Sequence, residues 1–155
     1  MVYLIAGPRN SGKTTRLLKL YNEKGGGGIL SVKGKKNNKE FYKLVFLGNY
    51  LKDVLLATED EALAKNPDFF KFKRFYFSKT AFKKATLYFN QLRTSYVSPL
   101  FLDEIGELEF NGMGFHDICL KLINLNRDVY LSVRNTYLTK FLSVFKPKRY
   151  EVLNK

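Results

Sequence analysis

Residues 7–14 read Gly-Pro-Arg-Asn-Ser-Gly-Lys-Thr and fill the pattern G-x-x-x-x-G-K-[ST] at every fixed position. This phosphate-binding, or Walker A, loop works only between a buried strand and the start of a helix, which dictates how the surrounding chain must fold. The flanks comply. The apolar run Val2-Tyr3-Leu4-Ile5-Ala6 is predicted to be a strand, and from Lys13 an apolar stripe at Leu17, Leu18 and Tyr21 predicts a helix. Gly7 and Gly12 lack a Cβ, so the backbone can turn its N–H groups inward. Those donors and the positive end of the helix make an anion site. Gly7, Pro8, Arg9, Asn10, Ser11, Gly12, Lys13, Thr14 and Thr15 are therefore the expected nucleotide-binding residues. Lys13 is expected to reach the β- and γ-phosphates as a point charge, and Thr14 to offer its hydroxyl to Mg²⁺.

A second stretch supplies the complementary chemistry. Tyr96-Val97-Ser98-Pro99-Leu100-Phe101-Leu102 is apolar and runs into Asp103-Glu104. A strand ending in an acidic pair is the expected partner of a phosphate loop. Asp103 would hold Mg²⁺ through water, opposite Thr14, and Glu104 would orient and deprotonate an attacking water.

At 155 residues the chain has the length of one domain, expected to span 1–155, and can bury about two thirds of its unfolded surface. Its 14 Phe and 10 Tyr suit an aromatic core. One cysteine forms no internal disulfide, and no apolar run is long enough for a bilayer span or a signal peptide, so a cytoplasmic protein without membrane association is expected. The net charge of +13 favours polyanions such as nucleic acid, although a lysine-rich solvated surface has the same composition.

Along the chain, Gly25-Gly26-Gly27-Gly28 is expected to stop the first helix and form a flexible turn. A strand at 29–32, a basic turn-rich segment at 33–39 and a strand at 41–47 suggest a hairpin, with another strand at 50–57. Thr58-Glu59-Asp60-Glu61 is suited to capping a short turn. The aromatic and basic run 69–77 reads as one strand with a packed and a solvated face, or as a single-strand stacking platform. Ser78 caps a helix whose stripe is Phe82, Ala85, Phe89 and Leu92. A helix over 114–126 places Cys119 among Phe115, Ile118, Leu122 and Ile123, as a small core residue rather than a nucleophile. His116 has no metal-ligand spacing around it. A strand at 129–133, a helix at 137–145 and a strand at 150–153 complete the chain.

The loop at 7–15 and the run Asp103-Glu104-Ile105-Gly106-Glu107-Leu108-Glu109-Phe110, followed by Phe115, together resemble the small P-loop nucleoside-triphosphatase family that includes the cancer-related nucleoside-triphosphatase and its thermophile relatives. That family's second motif is approximately D-E-I-G-x-M-E-L; Leu108 and Phe110 depart from it by apolar exchanges, and Glu109 matches. The segment 42–57 also resembles the family's hairpin, ending in Leu56-Ala57 but lacking its glycine. The resemblance implies an α/β fold: a three-layer, RecA-like, mostly parallel sheet with a β-hairpin addition, in which the strand at 129–133 lies between the loop strand and the Asp103 strand. It also implies Mg²⁺-dependent hydrolysis of nucleoside triphosphates with broad base tolerance. The end of that inserted strand, Ser132 to Asn135, would then face the γ-phosphate, with Arg134 as a charge-stabilising residue and Arg9 as the alternative; a surface salt bridge is the other reading of Arg134. Two other activities use the same loop, a nucleoside or nucleotide kinase and a nucleic-acid-binding protein switched by nucleotide.

Overall fold

The computed structural model describes residues 1–49 and 51–154. In chain order its elements are β1 (Val2–Gly7), α1 (Lys13–Lys24), β2 (Gly27–Lys36), β3 (Lys39–Leu47), β4 (Val54–Thr58), β5 (Phe69–Phe72), β6 (Phe75–Ser78), α2 (Lys79–Thr94), β7 (Leu100–Ile105), α3 (Glu107–Phe110), α4 (His116–Ile123), β8 (Val129–Arg134), α5 (Leu138–Phe145) and β9 (Tyr150–Asn154). The strands form one mixed sheet in the order β5-β6-β4-β3-β2-β7-β8-β1-β9.

Alternation along the strands sorts the core into two layers. Leu4, Leu100, Leu102, Leu131 and Val133 pack with α2, α4 and α5 on one face, whereas Ile5, Phe101 and Tyr130 pack with Leu17 of α1 on the other. Helices on both faces make the fold a three-layer α/β arrangement. β8 pairs in parallel with both β1 and β7, as the inserted central strand. Such strands are buried on both faces and reachable only through crossover helices, which is why they read as continuous apolar runs.

The parallel part comprises β2, β7, β8, β1 and β9. The antiparallel addition is larger than one hairpin, because β3, β4, β6 and β5 continue the sheet beyond β2. The basic segment 33–39 is mostly strand. β2 and β3 pair to their tips, and the turn is Asn37-Asn38, both at positive φ (49° and 65°), the geometry of a tight hairpin turn. Tyr50 of the predicted 50–57 strand lies outside the described residues, and β4 begins only at Val54.

Two readings are corrected. The run 69–77 is not one strand: Lys73 takes φ 56° and folds it into the β5–β6 hairpin, so its rings pack on one another, with Phe70 stacked on Phe77 at 5.8 Å and Phe77 on Phe82 at 6.1 Å. Nor is 25–28 a flexible turn. Gly25 ends α1, but Gly27 and Gly28 are buried inside β2, where a Cβ on Gly28 would lie 2.1 Å from the Phe101 carbonyl oxygen. Ser78 caps α2 as expected, its side chain accepting from the Ala81 N–H. No described helix is long and apolar enough to cross a membrane.

Candidate active site

The glycine loop leaves β1 at the sheet's edge of parallel strand ends and enters α1 at Lys13. Asn10 (φ 57°) and Gly12 (φ 85°) take the left-handed conformation that turns successive N–H groups to one side. At Gly7 a Cβ would sit 2.6 Å from Ser11 Oγ and would displace that hydroxyl from its place in the loop. Lys13 is buried, with Nζ 2.7 Å from the Pro8 carbonyl oxygen. Ser11 Oγ is buried with no protein partner among the described residues, an orphan that a polar ligand in the loop would satisfy.

The second motif meets the first directly. Thr14 Oγ1 donates to Asp103 Oδ2 at 2.7 Å across 89 positions of chain. Asp103 is wholly buried; it also accepts the Ser31 N–H at 3.1 Å and the Ser132 hydroxyl. Burial pushes the Asp103 carboxyl up, and the hydrogen bonds from Ser132 and Thr14 oppose that rise. A hydroxyl and a carboxylate oxygen side by side are hard donors of the kind Mg²⁺ accepts alongside waters and phosphate oxygens. Among the described residues, no group of three or more acidic, histidine or cysteine side chains could hold a metal ion.

Asp103 and Glu104 occupy a β-bulge. Leu102 pairs with Leu131 and Ile105 with Val133, so these two residues oppose Ser132 alone. Were Asp103 and Glu104 paired one to one with β8, Ile105 would turn away from the face it shares with Leu100 and Leu102. Glu104 takes φ 62°, which is costly for a residue with a Cβ, by about 1–3 kcal/mol. Its N–H donates to Ser132 Oγ at 2.8 Å. Burial pushes the Glu104 carboxyl up and the neighbouring Asp103 charge adds to it, while Lys13, Arg134 and Arg9 pull it down. The two carboxylates thus differ in role by position: Asp103 is enclosed, and Glu104 opens into a cleft of about 380 Å³.

Arg9 and Arg134 line that cleft with Glu104. Arg134 pairs in register with Gly7 at the end of β8, its guanidinium over the Tyr137 ring at 5.6 Å. Arg9 is more exposed and reaches Glu40 at 3.5 Å. Thr15 lies to the other side of the loop, in a shallow depression with Arg16, Lys19 and Glu23.

Two residues carry more of the site than the sequence reading gave them. Ser132, expected only as the start of the strand end facing the γ-phosphate, is a buried serine within the apolar run 129–133 and marks a polar demand inside the sheet. Glu109, expected only as a match to the second motif, is the other. It is buried, and its carboxylate accepts the Gly106 N–H at 3.0 Å and the Phe115 N–H at 3.2 Å, fixing the turn after β7. Burial pushes its carboxyl up to about 7. Cys119 is buried in the core, where burial drives its thiol pKa well up, and His116 Nδ1 lies 2.7 Å from the Glu109 carbonyl oxygen.

No family model matches the sequence, and comparison with curated proteins finds no match. Two solved structures are similar in fold. One is THEP1 from the hyperthermophile Aquifex aeolicus, at TM-score 0.64 and 13% identity over 99% of this chain and 89% of that one. The other is a human cancer-related nucleoside triphosphatase, at TM-score 0.66 and 17% identity over 99% of this chain and 87% of that one. The likeness spans the sheet, its antiparallel extension and both helical layers, and it meets the resemblance carried by the two motifs: this chain has the fold of the small P-loop nucleoside triphosphatases.

Proposed function

We propose that the protein is a Mg²⁺-dependent nucleoside triphosphatase that cleaves the β–γ bond by in-line attack of water. The observation that carries this reading is the Thr14–Asp103 hydrogen bond of 2.7 Å, which joins the two motifs and leaves Glu104 facing the cleft beside the loop. The loop N–H groups and Lys13 bind and orient the phosphates. Thr14 and Asp103 would hold Mg²⁺, which neutralises charge on the phosphate oxygens when bound. Glu104 accepts a proton from the attacking water; its partial burial and its neighbour Asp103 raise its basicity toward the working pH. Arg134, in register with Gly7 and electrostatically coupled to Glu104, stabilises charge developing on the γ-phosphoryl group. Broad base tolerance is carried over from the family resemblance of the two motifs. Both structural neighbours are small proteins of this fold, and the human one is named a nucleoside triphosphatase.

The test is a phosphate-release assay with the four common triphosphates, with and without Mg²⁺, on the native chain and on Glu104→Gln. Turnover is expected to fall by a factor on the order of 10²–10⁴ in the variant while nucleotide affinity survives. Unchanged turnover would remove Glu104 from the mechanism.

A further inference from the structure

An attacking water has a liquid volume of about 30 Å³ and needs no chamber of its own. The cleft in front of Glu104 measures about 380 Å³, within the range of small-molecule sites, and its lining combines seven aromatic side chains, among them Tyr42, Phe72 and Phe75, with seven charged ones, among them Arg9, Glu104 and Arg134. Its place in the sheet explains its chemistry. From one edge to the other run the hairpin strands β5, β6, β4 and β3, then β2, then β7 bearing Glu104, then β8 and β1 with the phosphate loop, and last β9. Glu104 therefore stands between the loop, where the γ-phosphate would lie, and a chamber that no residue of 12–15 lines.

Two details give the chamber the character of a binding site rather than of a packing flaw. Ser31 is 2% exposed, lines the chamber, and its hydroxyl has no protein partner among the described residues. Phe72 presents a half-buried ring that stacks on no other ring among the described residues, unlike Phe75, which packs on Tyr42 at 5.5 Å. The β5–β6 turn then straps the mouth: Lys73 pairs with Glu107, and Arg74 with Glu40 at 3.0 Å and Glu59 at 3.2 Å.

We propose that this chamber is an acceptor site for a nucleoside-class molecule, a planar heteroaromatic ring bearing a hydroxyl, which takes the γ-phosphoryl group in place of water. The inference rests on the reading of Lys13, Thr14 and Glu104 as phosphoryl-transfer machinery. The ring lies among Phe72, Phe75 and Tyr42, and Ser31 Oγ supplies a hydrogen bond at the end nearest Glu104. The acceptor oxygen forms a bond to the γ-phosphorus as the bond from that phosphorus to the β–γ bridging oxygen breaks. The nucleoside diphosphate leaves with that electron pair, and the acceptor hydroxyl proton passes to the Glu104 carboxylate.

The full chain is incubated with Mg²⁺ and ATP or GTP labelled in the γ-phosphate, together with each common ribo- or deoxyribonucleoside, and the labelled products are separated. A labelled nucleoside monophosphate is expected, formed about tenfold faster than phosphate is released to water. In Phe72→Ala and Phe75→Leu the acceptor KM should rise about tenfold, the worth of one ring contact. Phosphate release without acceptor should stay within about twofold of native in both, since both rings belong to the β5–β6 hairpin, at the end of the sheet away from the strand that carries the phosphate loop. Label appearing in inorganic phosphate alone, with every nucleoside, would overturn the acceptor site and leave the triphosphatase reading standing. Neither transfer nor phosphate release would overturn both. Transfer with an unchanged acceptor KM in both variants would overturn the location.

Discussion

Ser132 Oγ accepts the Glu104 backbone N–H at 2.8 Å while its own proton goes to the Asp103 carboxylate. One hydroxyl thus organises both acidic residues of the bulge, and it does so with no exposed surface of its own. Ser132→Ala removes the donor and the acceptor together. We expect a loss of about 2–3 kcal/mol in denaturant unfolding, since buried partners are left unpaired. Turnover should fall by about tenfold to a hundredfold through misplacement of Glu104, with nucleotide affinity little changed. A drop in stability with native kcat would show that the bulge holds its shape without this hydroxyl.

Glu104 combines a left-handed backbone, a half-buried carboxyl and a like-charged neighbour, three costs at one position. Glu104→Asn keeps a polar side chain, tolerates positive φ and removes the charge. Its midpoint of urea unfolding should rise, corresponding to about 1 kcal/mol, while phosphate release falls to background. A destabilised variant would mean that the glutamate's contacts outweigh its strain.

These two residues also mark where reading from sequence runs out. The phosphate loop, Asp103 and the buried strands were readable because each rests on local pattern: fixed glycines, a lysine and a threonine at set spacing, apolar runs flanked by turns. The site's assembly was not local. That Asp103 meets Thr14 depends on β8 inserting between β1 and β7, which came from a family resemblance and not from any residue in β8. The bulge is invisible as well, since Leu102-Asp103-Glu104-Ile105 looks like any strand end. The β5–β6 hairpin was lost because Lys73 and Arg74 carry no glycine or asparagine to announce a turn.

The glycine run gives the opposite case: its composition is plain in the sequence and its structural meaning is not. Gly26 has φ 102°, and a Cβ there would lie 2.0 Å from the Pro99 carbonyl oxygen; Gly28 has φ 150° against the Phe101 carbonyl oxygen at 2.1 Å. Both obstacles are backbone atoms of the β7 side, which cannot rotate away. Gly26→Ala and Gly28→Ala should each cost more than about 3 kcal/mol or prevent accumulation of folded protein. Gly25→Ala meets nothing within 4 Å and suffers only backbone strain, at φ 70° and ψ −152°, a region nearly confined to glycine, so about 1–3 kcal/mol is expected. Equal thermal shifts for all three would refute the close approach of β2 to β7.

Glu109 sets a pH dependence whose sign follows from its burial. Its carboxyl is pushed up to about 7 from an ordinary value of 4.5, so the folded chain holds this proton more tightly than the unfolded chain. The associated stability is fully present below about pH 4.5, declines as pH rises between the two values, and is lost above about pH 7. A shift of that size corresponds to about 3 kcal/mol. The carboxylate's hydrogen bonds from Gly106 and Phe115 survive ionisation, so the cost above pH 7 is that of the buried charge and not of a broken turn. Glu109→Gln keeps an acceptor but carries no titrating proton. Urea unfolding at pH 5.5 and pH 8 should therefore show native stability falling more steeply than that of the variant, by about 2 kcal/mol, after the slopes common to both chains cancel. Parallel slopes would place the Glu109 pKa near its unfolded value and make the turn after β7 a solvated one.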